Sequence, residues 1–251
     1  VNSPTRDALH KDHTQDAIAG RLAAATRHSY LGDFVLGAVD GAVTTFAIVA
    51  GAAGAGMTSG VALVLGIANV LADGFSMAAG NFLKARSDQQ LLEQFRRIEE
   101  SHIDRIPEGE REEVRQIFRA KGFEGDVLEQ IVHVITEDRK QWVNTMLTEE
   151  WGLRLELPSP WKAGSATMAA FVLAGLVPLV PLVFALRGQA NDAFAICSFL
   201  TGATFFGIGL ARGRTLGQHP VWSGLETLFI GGAAAALAYV VGRLLHNYAG
   251  A

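Results

Sequence analysis

Residues 34–55 read FVLGAVDGAVTTFAIVAGAAGA, and residues 61–83 read VALVLGIANVLADGFSMAAGNFL. The first run is 22 residues with one charge, Asp40; the second is 23 residues, again with one charge, Asp73. A helix needs about 20 mostly apolar residues to cross the hydrocarbon of a bilayer, so each run is long enough to span one. Three more runs follow: 163–186 with 24 residues and no charge, 193–211 with 19 and none, and 223–242 with 20 and only Glu226 near its start. A water-soluble core rarely supplies five such runs in 251 residues. The first run is no secretory signal, because it starts at residue 34, is too long and leads straight into a second span. The expected fold is an all-α membrane protein with five transmembrane helices.

Composition agrees. The chain is 49% hydrophobic and only 18% charged, against about 25% charged in ordinary soluble domains. Glycine, at 28 residues against 7 prolines, suits membrane helices that pack closely. The net charge of −4 and the lack of any strongly basic stretch exclude nucleic acid as a partner. A single cysteine, Cys197, excludes a disulfide framework and a Cys-based zinc site. A secreted scaffold, a disordered tail and a typical cytosolic enzyme are all poor fits.

The charges segregate into a tail, residues 1–32, and an insert, residues 84–162, which separates helices 1–2 (33–83) from helices 3–5 (163–251). The tail carries a candidate amphipathic helix near Ala17 to Ala25. In the insert, Pro107 marks a helix start and Gly122 a stop, which predicts three helices over 84–105, 108–120 and 124–152. Leu91, Leu92, Phe95 and Ile98 keep the helical period, as do Val114, Ile117 and Phe118. Lys and Arg set the orientation. The tail, the insert and the turn at Arg212 and Arg214 hold 19 of them, while the other side holds only Arg187 and Arg243. The N-terminus and the insert are therefore expected in the cytoplasm, in a multi-pass protein in contact with membrane lipid.

Asp40 lies mid-span, and Asp33 seven residues earlier shares its helix face near the cytoplasmic mouth. A carboxylate at that depth costs several kcal/mol unless it meets a cavity, a partner or water, and such residues mark ion pathways. The second span carries Asn69, Asp73, Met77 and Asn81 at successive i+4 positions. That stripe sets oxygen donors and a thioether on one face, a mixture that suits a borderline-soft transition metal better than Ca²⁺ or Mg²⁺. Taken singly, Met77 reads as packing and the asparagines as interhelical hydrogen-bonding groups. Gly37 and Gly41 form a small-xxx-small pair that permits close helix approach, with a dimer interface as one use. Glu226, near the cytoplasmic end of the fifth span, is expected to snorkel or to pair locally.

The insert holds a second set. Glu99 and His102 are i,i+3, Glu110 and Glu113 are i,i+3, and Met146 and Glu150 are i,i+4. Each pair occupies one helix face, so three helices can converge on a metal cluster. The competing reading is a solvated acidic surface, since the insert has 17 acidic residues.

The stretch Asp33-Phe-Val-Leu-Gly-Ala-Val-Asp-Gly-Ala-Val-Thr-Thr-Phe46, followed by Ala72-Asp-Gly-Phe-Ser-Met-Ala-Ala-Gly80, resembles the vacuolar iron transporter family. That family takes in plant and yeast vacuolar iron transporters, nodulin-21-like proteins and bacterial relatives. The likeness runs from about residue 30 over nearly the whole chain and includes five spans with a three-helix cytoplasmic insert. It implies a homodimer that exports Fe²⁺ and similar divalent metals (Mn²⁺, Zn²⁺, Co²⁺) from the cytosol by proton antiport, with no permanently bound cofactor. The membrane would be the inner membrane of a bacterium or the vacuole of a eukaryote. The family's intramembrane aspartate matches Asp40 and its translocation methionine Met77. Its cytoplasmic metal-binding glutamates match Glu99, Glu110, Glu113 and Glu150, and its methionine there matches Met146. This chain departs from the family at His102, often a glutamate, at Asn69, a glutamate in the plant proteins, and at Asn81, often acidic or glycine.

The resulting expectation is capture of the ion by the insert, then passage past Asp33 to Asp40, Asp73 and Met77, with Asp40 alternating between metal and proton. Two other classes compete. A ferritin-like oxidase needs a second Glu-x-x-His element, and Glu129 with His133 has the wrong spacing. A membrane-anchored sensor or store would use the same sites without moving ions.

Overall fold

The computed structural model describes residues 10–25, 29–187 and 192–249, which contain helices and no strand. We number the helices α1 Gln15–Ala25, α2 Leu31–Gly54, α3 Ser59–Arg105, α4 Pro107–Ala120, α5 Gly125–Glu137, α6 Arg139–Glu149, α7 Pro160–Gly175, α8 Val180–Leu186, α9 Ala193–Thr215 and α10 Pro220–Ala249. Five segments are long and apolar enough to cross a membrane: α2, α3, Pro160–Leu186, α9 and Pro220–Tyr248. The basic tail residues Arg6 and Arg27 lie outside the described residues.

The chain divides into two compact units, residues 1–28 with 84–159 and residues 29–83 with 160–251. In the second, α2 packs against α7, α9 and α10. One core cluster gathers Phe46, Val49, Val70, Leu179, Leu182 and Cys197. Another gathers Ala38, Ala42, Ala170, Ala174 and Phe205. Large apolar side chains such as Val64, Phe75, Phe199, Phe229 and Leu237 remain exposed on this unit, as lipid-facing helices require.

Gly37 and Gly41 do permit a close approach, but within the chain. A Cβ on Gly37 would stand 2.3 Å from the Thr167 carbonyl oxygen, and one on Gly41 2.4 Å from that of Phe171. The small-residue face of α2 is thus filled by α7 of the same chain and is not open to a second copy. The third span also differs from an unbroken helix. Pro178 and Pro181 remove backbone donors, and Val177–Leu179 forms a 3-10 turn between α7 and α8. Glu226 pairs with Arg212 at 3.5 Å.

In the other unit, Ile103, Val114, Leu128, Val132, Ile135, Trp142, Val143, Met146 and Leu147 form the core. The helix predicted over 84–105 is the last part of α3, which runs from Ser59 without a break. Gly122, at φ +93°, lies just past the end of α4, in a conformation that favours glycine. The single helix predicted over 124–152 is two helices, α5 and α6. Asp138 leaves the helical region at φ −100°, ψ 110° and accepts from the amides of Lys140 and Gln141 at 2.8 and 3.1 Å. An aspartate that caps the next turn competes with helix continuation.

Candidate functional site

The insert unit brings the end of α3 and the start of α4 to one point. Glu99 and His102 stand in the last turns of α3, which ends at Arg105. Ile106 breaks the helix at φ −136°, and Pro107 starts α4 with a residue that needs no hydrogen-bonded amide. That corner folds α4 back so that Glu110 faces Glu99 and His102. Ligand atoms of Glu99, His102 and Glu110 all lie within 4.8 Å of one another. Two donors on opposite sides of one ion are separated by about 4–5 Å, twice a metal–oxygen or metal–nitrogen bond, so these three atoms can share a cation.

Burial makes this arrangement costly without one. Glu99 is 1% exposed and Glu110 0%. Glu99 Oε1 accepts from the Trp151 indole Nε1 at 2.8 Å, but Glu99 Oε2 and both Glu110 carboxyl oxygens have no hydrogen-bond donor. His102 Nδ1 approaches Glu110 Oε1 at 3.2 Å. Four nearby cations are engaged elsewhere: Arg115 with Glu112 and Glu129, Arg139 with Asp104, Lys121 with Glu149, Arg111 with Glu108. Among the described residues, no lysine or arginine forms an ion pair with Glu99, Glu110, Glu113 or Glu150. An uncompensated buried carboxylate costs several kcal/mol. A proton or a metal ion has to supply the missing charge.

The electrostatics say the same. Burial, then the charges of Glu113, Glu99 and Glu150, push the Glu110 carboxyl up to about 8. Glu150 is raised to about 7 by desolvation and by Glu99 and Glu113, against the opposing effect of His102. Glu113 and Glu150 thus belong to the same field as the three converging groups. Glu113 and Glu150 both stand at the exposed rim. Met146 is fully buried in the apolar core, one turn before Glu150, whose amide bonds its carbonyl at 3.0 Å.

The membrane unit holds the other set. Asn69 donates to Thr44 and Thr45 Oγ1 at 3.2 and 3.4 Å. Asn81 donates to Asp33 Oδ1 at 2.9 Å and to Thr167 Oγ1 at 2.8 Å. These contacts join α2 and α3 in antiparallel register, with residue 33 beside 81 and residue 44 beside 69. Asp40 and Asp73 fall between the two contacts, at facing levels of that register. Met77 lies on the same stripe of α3, partly buried. Thr44, Thr45, Thr167 and Trp151 were not readable as site residues from sequence. Each is a common packing residue whose partner is distant in the chain; only position on the faces of Asp40 and Asn69 gave any signal for the first two.

Comparison with known proteins gives consistent matches. The VIT family model matches residues 31–243. A vacuolar iron transporter of Toxoplasma gondii is 34% identical over 234 residues, 90% of this chain and 78% of that protein. One from Centaurea cyanus is 35% identical over 210 residues, 82% of this chain and 84% of the relative. Vacuolar iron transporter 1 of Arabidopsis thaliana is 33% identical over 218 residues, 86% of each chain.

Proposed function

The chain belongs to the VIT family, and on that premise we propose that it is a metal transporter that carries Fe²⁺, with Mn²⁺, Zn²⁺ and Co²⁺ as further substrates, out of the cytosol in exchange for protons. The name shared by its relatives supports iron as the cargo, and five membrane-length helices support a multi-pass integral membrane protein. The observation that carries the capture step is the pair of buried carboxylates, Glu99 and Glu110, beside His102 with no cationic side chain to neutralise them. Carboxylates and a neutral imidazole are good ligands for Fe²⁺ and its neighbours. In this reading the insert faces the cytoplasm and takes up the ion through Glu99, His102, Glu110, Glu113 and Glu150, with Met146 lining the site from the core.

The ion then passes Asp33 to Asp40, Asp73 and Met77, along the α2–α3 stripe that also carries Asn69 and Asn81. Two mid-span carboxylates that repel each other gain from sharing a divalent cation, and once the ion has left they gain from taking a proton. Exchange of one for the other couples the two flows without any covalent chemistry. The lysine and arginine bias supports a cytoplasmic N-terminus and insert. We further propose a homodimer; with the Gly37/Gly41 face occupied by α7, its contact falls on other exposed faces of the spans. The test is quenching by Fe²⁺ of a chelating dye trapped in proteoliposomes, with Asp40→Asn beside the wild type. Rapid quenching by the wild type and none by the folded variant is expected. Metal binding without quenching by either would make the protein a sensor or store.

A further inference from the structure

Asn81 sits on the metal stripe of α3, yet its amide hydrogens point elsewhere. They reach Thr167 Oγ1 at 2.8 Å, Asp33 Oδ1 at 2.9 Å and the Ala163 carbonyl at 3.4 Å. Two hydrogens against three acceptors leave none over. Thr167, fully buried on α7, passes the contact on, because its hydroxyl donates to the Ala163 carbonyl at 3.1 Å. The third span is held at this level by backbone contact on both sides. Gly37 of α2 lies so close to Thr167 that a Cβ would stand 2.3 Å from its carbonyl oxygen, and a Cβ on Gly164 would stand 2.9 Å from the Ala78 carbonyl of α3. The Thr167 hydroxyl therefore has little freedom to move away from Asn81.

We propose that Thr167 and Asn81 form a clamp that holds the Asp33 carboxylate at the mouth of the α2–α3 pathway, and that both are positioning residues for ion capture. The inference rests on the transport reading for what Asp33 receives. A hydrogen bond to a carboxylate is stronger than one between neutral groups and gains further where water is scarce, so Asn81 fixes the direction in which Asp33 presents its oxygens. Asn81 owes its own direction to Thr167. Asn69 makes the corresponding contact with Thr44 and Thr45, 12 residues away along α3, and keeps the two helices in register between the two points.

The clamp and a ligand role for Asn81 predict different mutant series. Initial rates of Mn²⁺ uptake into proteoliposomes are measured for wild type, Thr167→Val, Thr167→Ser, Asn81→Leu and Asn81→Asp. With a clamp, Thr167→Val raises KM about tenfold with little change in maximal rate, Thr167→Ser restores the wild-type value, and Asn81→Asp fails because an ionised carboxylate donates nothing and repels Asp33. With Asn81 as a ligand, Thr167→Val behaves as wild type and Asn81→Asp keeps or improves uptake; that pattern overturns the proposal. Mn²⁺ affinity of the detergent-solubilised variants, in a Glu99→Gln, Glu110→Gln background, is the second measurement. It needs no translocation, so a wild type that binds but moves no metal defeats the transport reading while the Thr167→Val and Thr167→Ser affinities still decide the clamp. Equal affinities in those two variants overturn it.

Discussion

At neutral pH the insert site should hold protons that a metal must displace. Glu110, held up to about 8 by burial and three neighbouring carboxylates, is mostly protonated at pH 7, and Glu150, at about 7, is half protonated. Binding of one divalent ion through both oxygen donors releases about 1.9 protons at pH 6, about 1.4 at pH 7 and about 0.6 at pH 8. The affinity for the metal rises with pH in consequence, roughly 50-fold from pH 6 to pH 8 through Glu110 alone. The assay is calorimetric titration of the full-length protein in detergent with Mn²⁺, in pairs of buffers of different ionisation enthalpy at each pH. Glu110→Gln should remove about 0.9 proton per ion at pH 7. Release near zero at pH 6 and 7, or an unchanged number in Glu110→Gln, would refute the reasoning.

Other consequences follow from the same structure. Without metal, Glu110 keeps its proton in the folded state up to about 8 and loses it near 4.5 when unfolded, so the folded state binds more protons in between. The melting temperature of the metal-free protein should therefore fall as pH rises from 5 to 8, and saturating Mn²⁺ should reverse the fall; a flat profile would show that the carboxylate is not buried unpaired. Gly37→Ala places a methyl group 2.3 Å from the Thr167 carbonyl oxygen and should cost about 1–3 kcal/mol as α2 and α7 separate, read as a lower melting temperature in detergent. Asp138→Ala removes the cap from α6 and should cost about 1 kcal/mol, confined in hydrogen exchange to the insert. Protection of α6 equal to wild type would contradict the capping role.

The spans were legible because apolar length is a one-dimensional property: runs at 34–55, 61–83, 163–186, 193–211 and 223–242 can be counted. Breaks within helices were less so. Counting apolar residues over 163–186 passed over the break at Pro178 and Pro181, and Asp138 looks like one more acidic residue until its side chain is seen to cap α6. Spacing put Glu99 beside His102 and Glu110 beside Glu113, but it could not distinguish these from Glu108, Glu112 or Glu129, which pair with arginines at the surface. That distinction depends on which carboxylates the corner at Ile106 turns inward. The Gly37/Gly41 motif is a different case. Its small side chains signal close approach, but nothing local says whether the partner is α7 or another copy, and the answer required the tertiary fold.

The central claim is that metal moves in one direction because protons move in the other. Proteoliposomes with an acidic interior and equal Fe²⁺ on both sides measure this most directly, through a trapped metal-sensitive dye and a trapped pH dye read together. The account predicts Fe²⁺ accumulation above the external level with matched alkalinisation of the interior, and neither signal in Asp40→Asn. Fe²⁺ that only equilibrates whatever the pH gradient, or an Asp40→Asn variant that accumulates it like the wild type, would contradict it.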